Sequence, residues 1–325
     1  MLTPPGALKA DQPHPALADW LERLNRLLAD QAARGVEATP VTVRESMASM
    51  TATLVARGPD LPWVRDTMIP TGAYPVPVRL YDPAPDREKP VTLFLHGGGH
   101  MAGGVSVYDP IVRRLAKTSG HLVVSVEYRL APECPYPLGL EDCLAVARHL
   151  WPVLDRHGRR VTRTLNLVGD SGGGALAATV SALAQDDPDL RVHKQALIYP
   201  SLDYTLDHPS VAENGRGYLL ETSRIHWYFD HYFQDGAAPD PVRRRNASPL
   251  HGPISERLPA TLVLTAGFCP LRDEGVAYVE RLRAAGVPAR HQPFPDMIHA
   301  WLNLEDLVPE ACAESYRVVG DFLNG

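Results

Sequence analysis

Several features that would mark a protein class directly are missing from this 325-residue chain. No stretch approaches the ~18 consecutive apolar residues of a membrane-spanning helix. The N-terminus has no basic segment followed by an apolar one, so it does not read as a secretory leader. It reads as Pro-broken coil running into an amphipathic helix, and the expectation is a soluble, cytoplasmic protein with no membrane span. Cysteine is scarce: Cys134, Cys143, Cys269 and Cys312 are too few for a disulfide framework, and none form a C-x-x-C zinc pair. Neither a metal nor an organic cofactor is implied. Excess basic charge is also absent. With 32 Lys and Arg against 38 Asp and Glu the net charge is −6, which argues against nucleic acid as a partner. The run Arg243-Arg244-Arg245 is short enough to be a solvated loop. There are no internal repeats and no low-complexity tracts.

What is present is an apolar content of 45%, ample for a core in one large α/β domain or two small ones. Leu17, Leu21, Leu24, Leu27 and Leu28 recur at helical spacing and predict a helix over about 15–31. A second helix, or a helix with a break, is predicted over 41–57. Short strands at 64–69 and 76–81 follow, separated by Pro and Gly turn signals.

From there strand and helix alternate. Strands are predicted at 91–95, 121–126, 165–168, 195–199, 260–265 and 289–294. Helices are predicted at 110–118, 140–154, 175–184, 271–285 and 309–323. Such alternation argues for a parallel sheet with helices on both faces. Residues 201–250 interrupt it. They are rich in Asp, His, Tyr and Pro, with one helical patch at 223–233, and an excursion of that size reads as a lid or cap. The expected organisation is N-terminal cap helices in 1–60, core in 61–200, a cap insertion in 201–250 and core again in 251–325.

Three elements carry chemistry. Gly169-Asp170-Ser171-Gly172-Gly173 matches G-x-S-x-G between a predicted strand and helix, the context of a nucleophile elbow. The elbow holds Ser171 at a helix N-terminus, which favours negative charge. The motif has neither the Lys-Ser/Thr ending of a phosphate loop nor the spacing of a dinucleotide fingerprint. His96-Gly97-Gly98-Gly99 directly follows the 91–95 strand. Its glycines let backbone N–H groups face a developing oxyanion with no side chain in the way. His299 follows the last strand by a short loop and is the natural base. Among thirteen histidines, its position singles it out.

On these residues the chain resembles the bacterial hormone-sensitive-lipase family of esterases, often called family IV. The landmarks also include Glu127-Tyr128-Arg129-Leu130-Ala131-Pro132-Glu133, Pro270-Leu271-Arg272-Asp273-Glu274-Gly275 and Met297-Ile298-His299. The likeness runs from about residue 64 to the C-terminus. It implies an α/β-hydrolase fold with a mostly parallel eight-stranded sheet, helices on both faces and a helical cap. It implies oxyanion donors at Gly98, Gly99 and Gly172, a small-molecule ester or acyl substrate of short to medium chain length, and a homodimer as a common assembly. The cap aromatics Tyr204, Tyr218, Trp227, Tyr228 and Phe229 can line a pocket, although cap core is the more economical reading for most of them.

One family landmark is broken. The segment before Pro270 should supply the acid that orients the histidine, and this chain reads Ala266-Gly267-Phe268-Cys269-Pro270. A thiol with an ordinary pKa of ~8.5 is mostly neutral at pH 7 and cannot balance an imidazolium. Three readings follow. Another carboxylate substitutes, Asp296 or Asp273, although each also suits a structural turn or helix-cap role. Alternatively, Cys269 is ionised by His299 and serves as the third member. Or the natural reaction is not simple hydrolysis, and the pair performs acyl transfer, elimination or lactonisation. A catalytically weakened binding protein is the contrasting class, but retention of both Ser171 and His299 argues for an enzyme.

Overall fold

The computed structural model describes residues 8–72, 74–236 and 238–325. Eight strands form one sheet in the order β1-β2-β4-β3-β5-β6-β7-β8. They are β1 (Trp63–Ile69), β2 (Val76–Asp82), β3 (Lys89–Leu95), β4 (Leu122–Val126), β5 (Val161–Asp170), β6 (Val192–Ile198), β7 (Ala260–Phe268) and β8 (Ala289–Ile298). Only β2 runs against its neighbours; the pairs from β4 through β8 are all parallel. This is the α/β-hydrolase sheet, mostly parallel and eight-stranded.

Period-two alternation sends side chains to two helical layers. Leu93 and Leu95 of β3, Val124 of β4 and Leu167 of β5 share one cluster with α4 (Leu138–Arg156), α5 (Gly172–Ala184) and α9 (Arg272–Ala284). Phe94, Val123 and Val168 point the other way, to α3 (Val105–Ser119) and α10 (Pro309–Asn324). Burial on both faces explains the continuous apolar runs of the central strands.

Two boundaries differ from the sequence expectation for physical reasons. Helix α3 begins at Val105, ahead of Pro110, because the Glu127 carboxylate accepts the Val105 N–H at 2.6 Å and caps the helix from a distant loop. Strand β8 continues through Pro293 and Pro295 to Ile298. It is an edge strand, where a missing N–H is tolerated.

Two further helices precede the sheet, α1 (Pro15–Ala33) and α2 (Pro40–Leu54), the second unbroken and opened by a Thr39–Thr42 capping box. Only the first half of the α1 leucine stripe is covered: Leu17 and Leu21 are buried, while Leu27 and Leu28 are exposed. Arg44 of α2 donates to the carbonyls of Met101 and Ala131, each at 2.8 Å. Between β6 and β7 lie α6 (Pro209–Glu213), α7 (Thr222–Phe233) and α8 (Pro241–Ala247). Phe229, Tyr232 and Phe233 of α7 pack around Tyr204. No helix among the described residues is long and apolar enough to cross a membrane.

The β5–α5 turn is packed too closely for side chains at two of its glycines. A methyl on Gly173 would sit 2.0 Å from the Leu95 carbonyl oxygen, and one on Gly169 would sit 2.2 Å from that of Gly173. Gly173→Ala is expected to cost on the order of 1–3 kcal/mol, as forced overpacking does. Thermal unfolding should show a midpoint lowered by several degrees. Gly252→Ala, whose methyl would meet only ordinary contact at 3.4 Å, is the control, and equal midpoints in the two variants would refute the steric account.

Candidate active site

Topology brings three chemical groups to one end of the sheet. Ser171 follows the last residue of β5, at φ 52° and ψ −121°. A non-glycine residue at positive φ is strained, and the strain swings the Ser171 side chain away from the strand. Phe268 and Ile298 are register partners in β7 and β8, so the residues that follow them, Cys269 and His299, emerge side by side. A methyl on Gly267 would lie 1.9 Å from the Pro295 carbonyl oxygen, so only glycine lets the two strand ends approach this closely.

The result is a continuous line of contacts. Ser171 Oγ is 2.9 Å from His299 Nε2, and Cys269 Sγ is 3.2 Å from His299 Nδ1. The Leu271 N–H also donates to the sulfur, at 3.3 Å. Of the three candidates for the acid position, only Cys269 is brought to the imidazole. The Asp273 carboxylate is engaged elsewhere, accepting the Ser210 N–H at 2.9 Å and the Arg272 guanidinium at 2.8 Å. Asp296 uses its backbone carbonyl to accept the His14 N–H, and its carboxylate makes no hydrogen bond to His299 among the described residues.

The oxyanion loop lies against the elbow. Gly98 and Gly99 have φ of 116° and 61°. A methyl on Gly172 would be 3.4 Å from the Gly99 nitrogen, so these two backbone segments line one small space. Gly172 also begins α5, where helix N–H groups have no intrahelical acceptor. Together these groups can hold an oxygen that gains negative charge.

The loop is stapled to the elbow by Asp170, a role the motif alone did not reveal. One Asp170 oxygen accepts the Gly97 N–H at 2.7 Å and the other accepts the Tyr108 hydroxyl at 2.9 Å. Burial pushes its pKa up to about 7, against the pull of those two donors. His96 is structural: it stacks on Tyr128 at 4.3 Å and is fully enclosed. Tyr228 of α7 covers the loop, since a methyl on Gly99 would be 2.7 Å from its ring. Among the described residues no group of three or more His, Cys, Asp or Glu is placed to hold a metal ion.

Charge at the site is set by burial. His299 is 5% exposed and Cys269 fully buried. Desolvation lowers His299 to about 3 and pushes the Cys269 thiol well above its ordinary value, despite the Leu271 N–H. The resting pair is therefore a neutral imidazole and a neutral thiol. If Nδ1–H donates to sulfur, Nε2 is free to take the Ser171 proton. If the thiol donates to Nδ1, Nε2 carries the proton and cannot act as base.

The profile of a family with the alpha/beta hydrolase fold matches residues 92–303, more than half of the chain. The chain is 36% identical over 266 residues to esterase LipI of Mycobacterium tuberculosis, covering 78% of this chain and 79% of that protein. It is 34% identical to the ethyl acetate hydrolase of Pseudomonas putida, covering 73% and 74%. A solved hyperthermophilic esterase from the archaeon Pyrobaculum calidifontis superposes with a TM-score of 0.85 at 31% identity, over 96% of this chain and 98% of that one. The chain belongs to the α/β-hydrolase family, in its hormone-sensitive-lipase-like branch of esterases. It is a carboxylesterase-like hydrolase acting on carboxylic esters.

A pH prediction comes from the His299 environment. A histidine acts as a base only in its neutral form, and a pKa near 3 keeps His299 neutral well below the usual ~6.5. If His299 is the base, the acid limb of kcat/KM should thus lie far below neutrality. In Cys269→Asp a carboxylate would favour the imidazolium and raise that pKa, so the limb should move up toward neutral pH. Coincident limbs in the two pH–rate profiles would mean that the group at 269 does not govern His299.

Proposed function

We propose that Ser171 is the nucleophile, His299 the general base, and the backbone N–H groups of Gly98, Gly99 and Gly172 the oxyanion hole of a hydrolase for esters of short to medium acyl chain. Cys269 is its uncharged orienting partner. The observation that carries this reading is the 2.9 Å contact from Ser171 Oγ to His299 Nε2 at a positive-φ strand–helix turn. Ser171 Oγ attacks the ester carbonyl while Nε2 takes its proton. The tetrahedral oxyanion rests on the glycine N–H groups. Nε2 then passes the proton to the departing alcohol, leaving an acyl-serine. Water repeats the cycle, with Nε2 taking its proton and returning it to Ser171 as the carboxylic acid leaves.

Helices α1 and α2 together with residues 201–250 are the cap in this reading. Support comes from Tyr228 lying over Gly99 and from Arg44 bonded to the loop that follows the glycines. The neutral thiol favours one other reading, a decayed hydrolase kept for binding. It also sets the expected speed, because a thiol neither fixes the Nδ1–H tautomer nor supplies a counter-charge, and replacing the carboxylate by a neutral amide in a serine protease costs ~10⁴ in kcat.

A fluorophosphonate probe should label wild type and not Ser171→Ala, and p-nitrophenyl butyrate should be hydrolysed slowly by the former alone. No labelling of folded wild type would sink the proposal. Cys269→Asp should raise turnover by about 10²–10⁴. A fall instead would show that the cysteine serves a reaction a carboxylate cannot.

A further inference from the structure

One buried imidazole beside the oxyanion loop has no part in the chemistry above. His100 follows the glycine run at φ 62° and is 2% exposed. Tyr232 of α7 stacks on its ring at 4.0 Å, with the planes 13° apart. Its Nε2 lies 3.0 Å from the Tyr204 hydroxyl. Its Nδ1 is buried and has no hydrogen-bond partner among the described residues.

The position of that nitrogen matters. A methyl on Gly172 would be 3.3 Å from His100 Cε1 and 3.4 Å from the Gly99 nitrogen. Cε1 is bonded directly to Nδ1. Cε1 is also bonded to Nε2, which Tyr204 occupies, so the orphan Nδ1 is the free nitrogen one bond from the ring edge that meets Gly172.

Its protonation follows from its neighbours. Burial holds the imidazole pKa at about 3, so the ring is neutral and carries a single N–H. The Tyr204 hydroxyl is buried as well, and His100 Nε2 is its hydrogen-bond partner. If the hydroxyl donates to Nε2, only the Nδ1–H is left unpaired; if Nε2–H donates to the hydroxyl, both the Tyr204 O–H and the Nδ1 lone pair are, so the first arrangement is favoured and the imidazole proton resides on Nδ1. An N–H donor, held by Tyr204 and Tyr232, then lies on the ring that packs against Gly172, with no protein acceptor among the described residues.

We infer that His100 is a specificity-determining residue, whose Nδ1–H donates to a second oxygen of the substrate close to the scissile ester. The inference rests on the Ser171 mechanism proposed above. The favoured substrates carry an ether, hydroxyl or carbonyl oxygen a few bonds from that ester, in either the acyl or the alcohol part. Such a site discriminates strongly, because a substrate lacking the oxygen leaves a buried donor unpaired.

Isosteric pairs test this. In the acyl part, p-nitrophenyl methoxyacetate is compared with p-nitrophenyl butyrate. In the alcohol part, 2-methoxyethyl acetate is compared with butyl acetate. Each kcat/KM ratio is measured in wild type and in His100→Phe, which keeps a ring for Tyr232 and loses the nitrogens. Intrinsic reactivity cancels between the two proteins. A fall of about tenfold or more in the oxygen preference of one pair is expected. Unchanged ratios in both pairs would overturn the inference.

A second measurement needs neither turnover nor a His100 variant. In ¹⁵N-imidazole-labelled Ser171→Ala, the His100 proton should reside on Nδ1, and that signal should move with 2-methoxyethyl acetate or methyl methoxyacetate but not with their hydrocarbon isosteres. A proton on Nε2, or no selective shift, overturns the inference. Absence of Ser171-dependent hydrolysis in wild type would instead count against the mechanism and leave this readout decisive for His100.

Discussion

The sharp turn at Ser171 constrains most of what surrounds it. A strand can pass into a helix this abruptly only if the helix start lies against the neighbouring strand, and β3 is that neighbour. Gly173 therefore meets the Leu95 carbonyl at a distance no Cβ allows. The oxyanion loop begins one residue after Leu95, so the packing that makes the turn also sets the loop beside it. Asp170 completes the coupling: it precedes Ser171 in sequence, yet its carboxylate reaches inward to the Gly97 N–H and the Tyr108 hydroxyl. Two motifs more than seventy residues apart are thereby one mechanical unit.

Geometry and charge are separable in this site. The pairing of Phe268 with Ile298 presents residues 269 and 299 to each other whatever their side chains are. A thiol at 269 keeps the contact to Nδ1, at 3.2 Å, but supplies no anion. What a carboxylate would add is a lasting preference for Nδ1–H and a counter-charge when His299 is protonated. Cys269 Sγ accepts from the Leu271 N–H and shares a hydrogen bond with His299 Nδ1, a contact that can hold the ring in place without balancing its charge.

The parts of this arrangement that were legible in the sequence are those in which backbone geometry demands glycine. Gly169, Gly173, Gly98 and Gly99 leave local signals, because a Cβ at any of them would lie within 3 Å of a neighbouring atom. The strands were legible through burial on both faces. Features decided by distant residues were not. The start of α3 depends on Glu127, the length of β8 on its lying at the sheet edge, and the roles of Tyr228 and His100 on how α7 folds back over the loop. The cysteine at the acid position was visible as a broken pattern. That Asp273 is occupied by Ser210 and Arg272 was not, since Ser210 is more than sixty residues away and belongs to α6.

Burial gives the substitution at 269 its weight. A low-dielectric environment strengthens whatever electrostatic pattern is present and penalises whatever charge lacks a partner. Around a carboxylate–imidazole pair the enclosure would favour the imidazolium that forms when serine gives up its proton. Around a thiol–imidazole pair it opposes both the thiolate and the imidazolium, which is why His299 is driven down and Cys269 up. In the proposed mechanism the two effects do not cancel, because proton transfer from Ser171 creates the imidazolium regardless of what stands at 269. That proposal places the compensation where charge develops on the substrate, at the glycine N–H groups and the start of α5. A neutral donor such as His100 Nδ1–H suits such a site, since it adds binding without adding another charge that the enclosure would penalise.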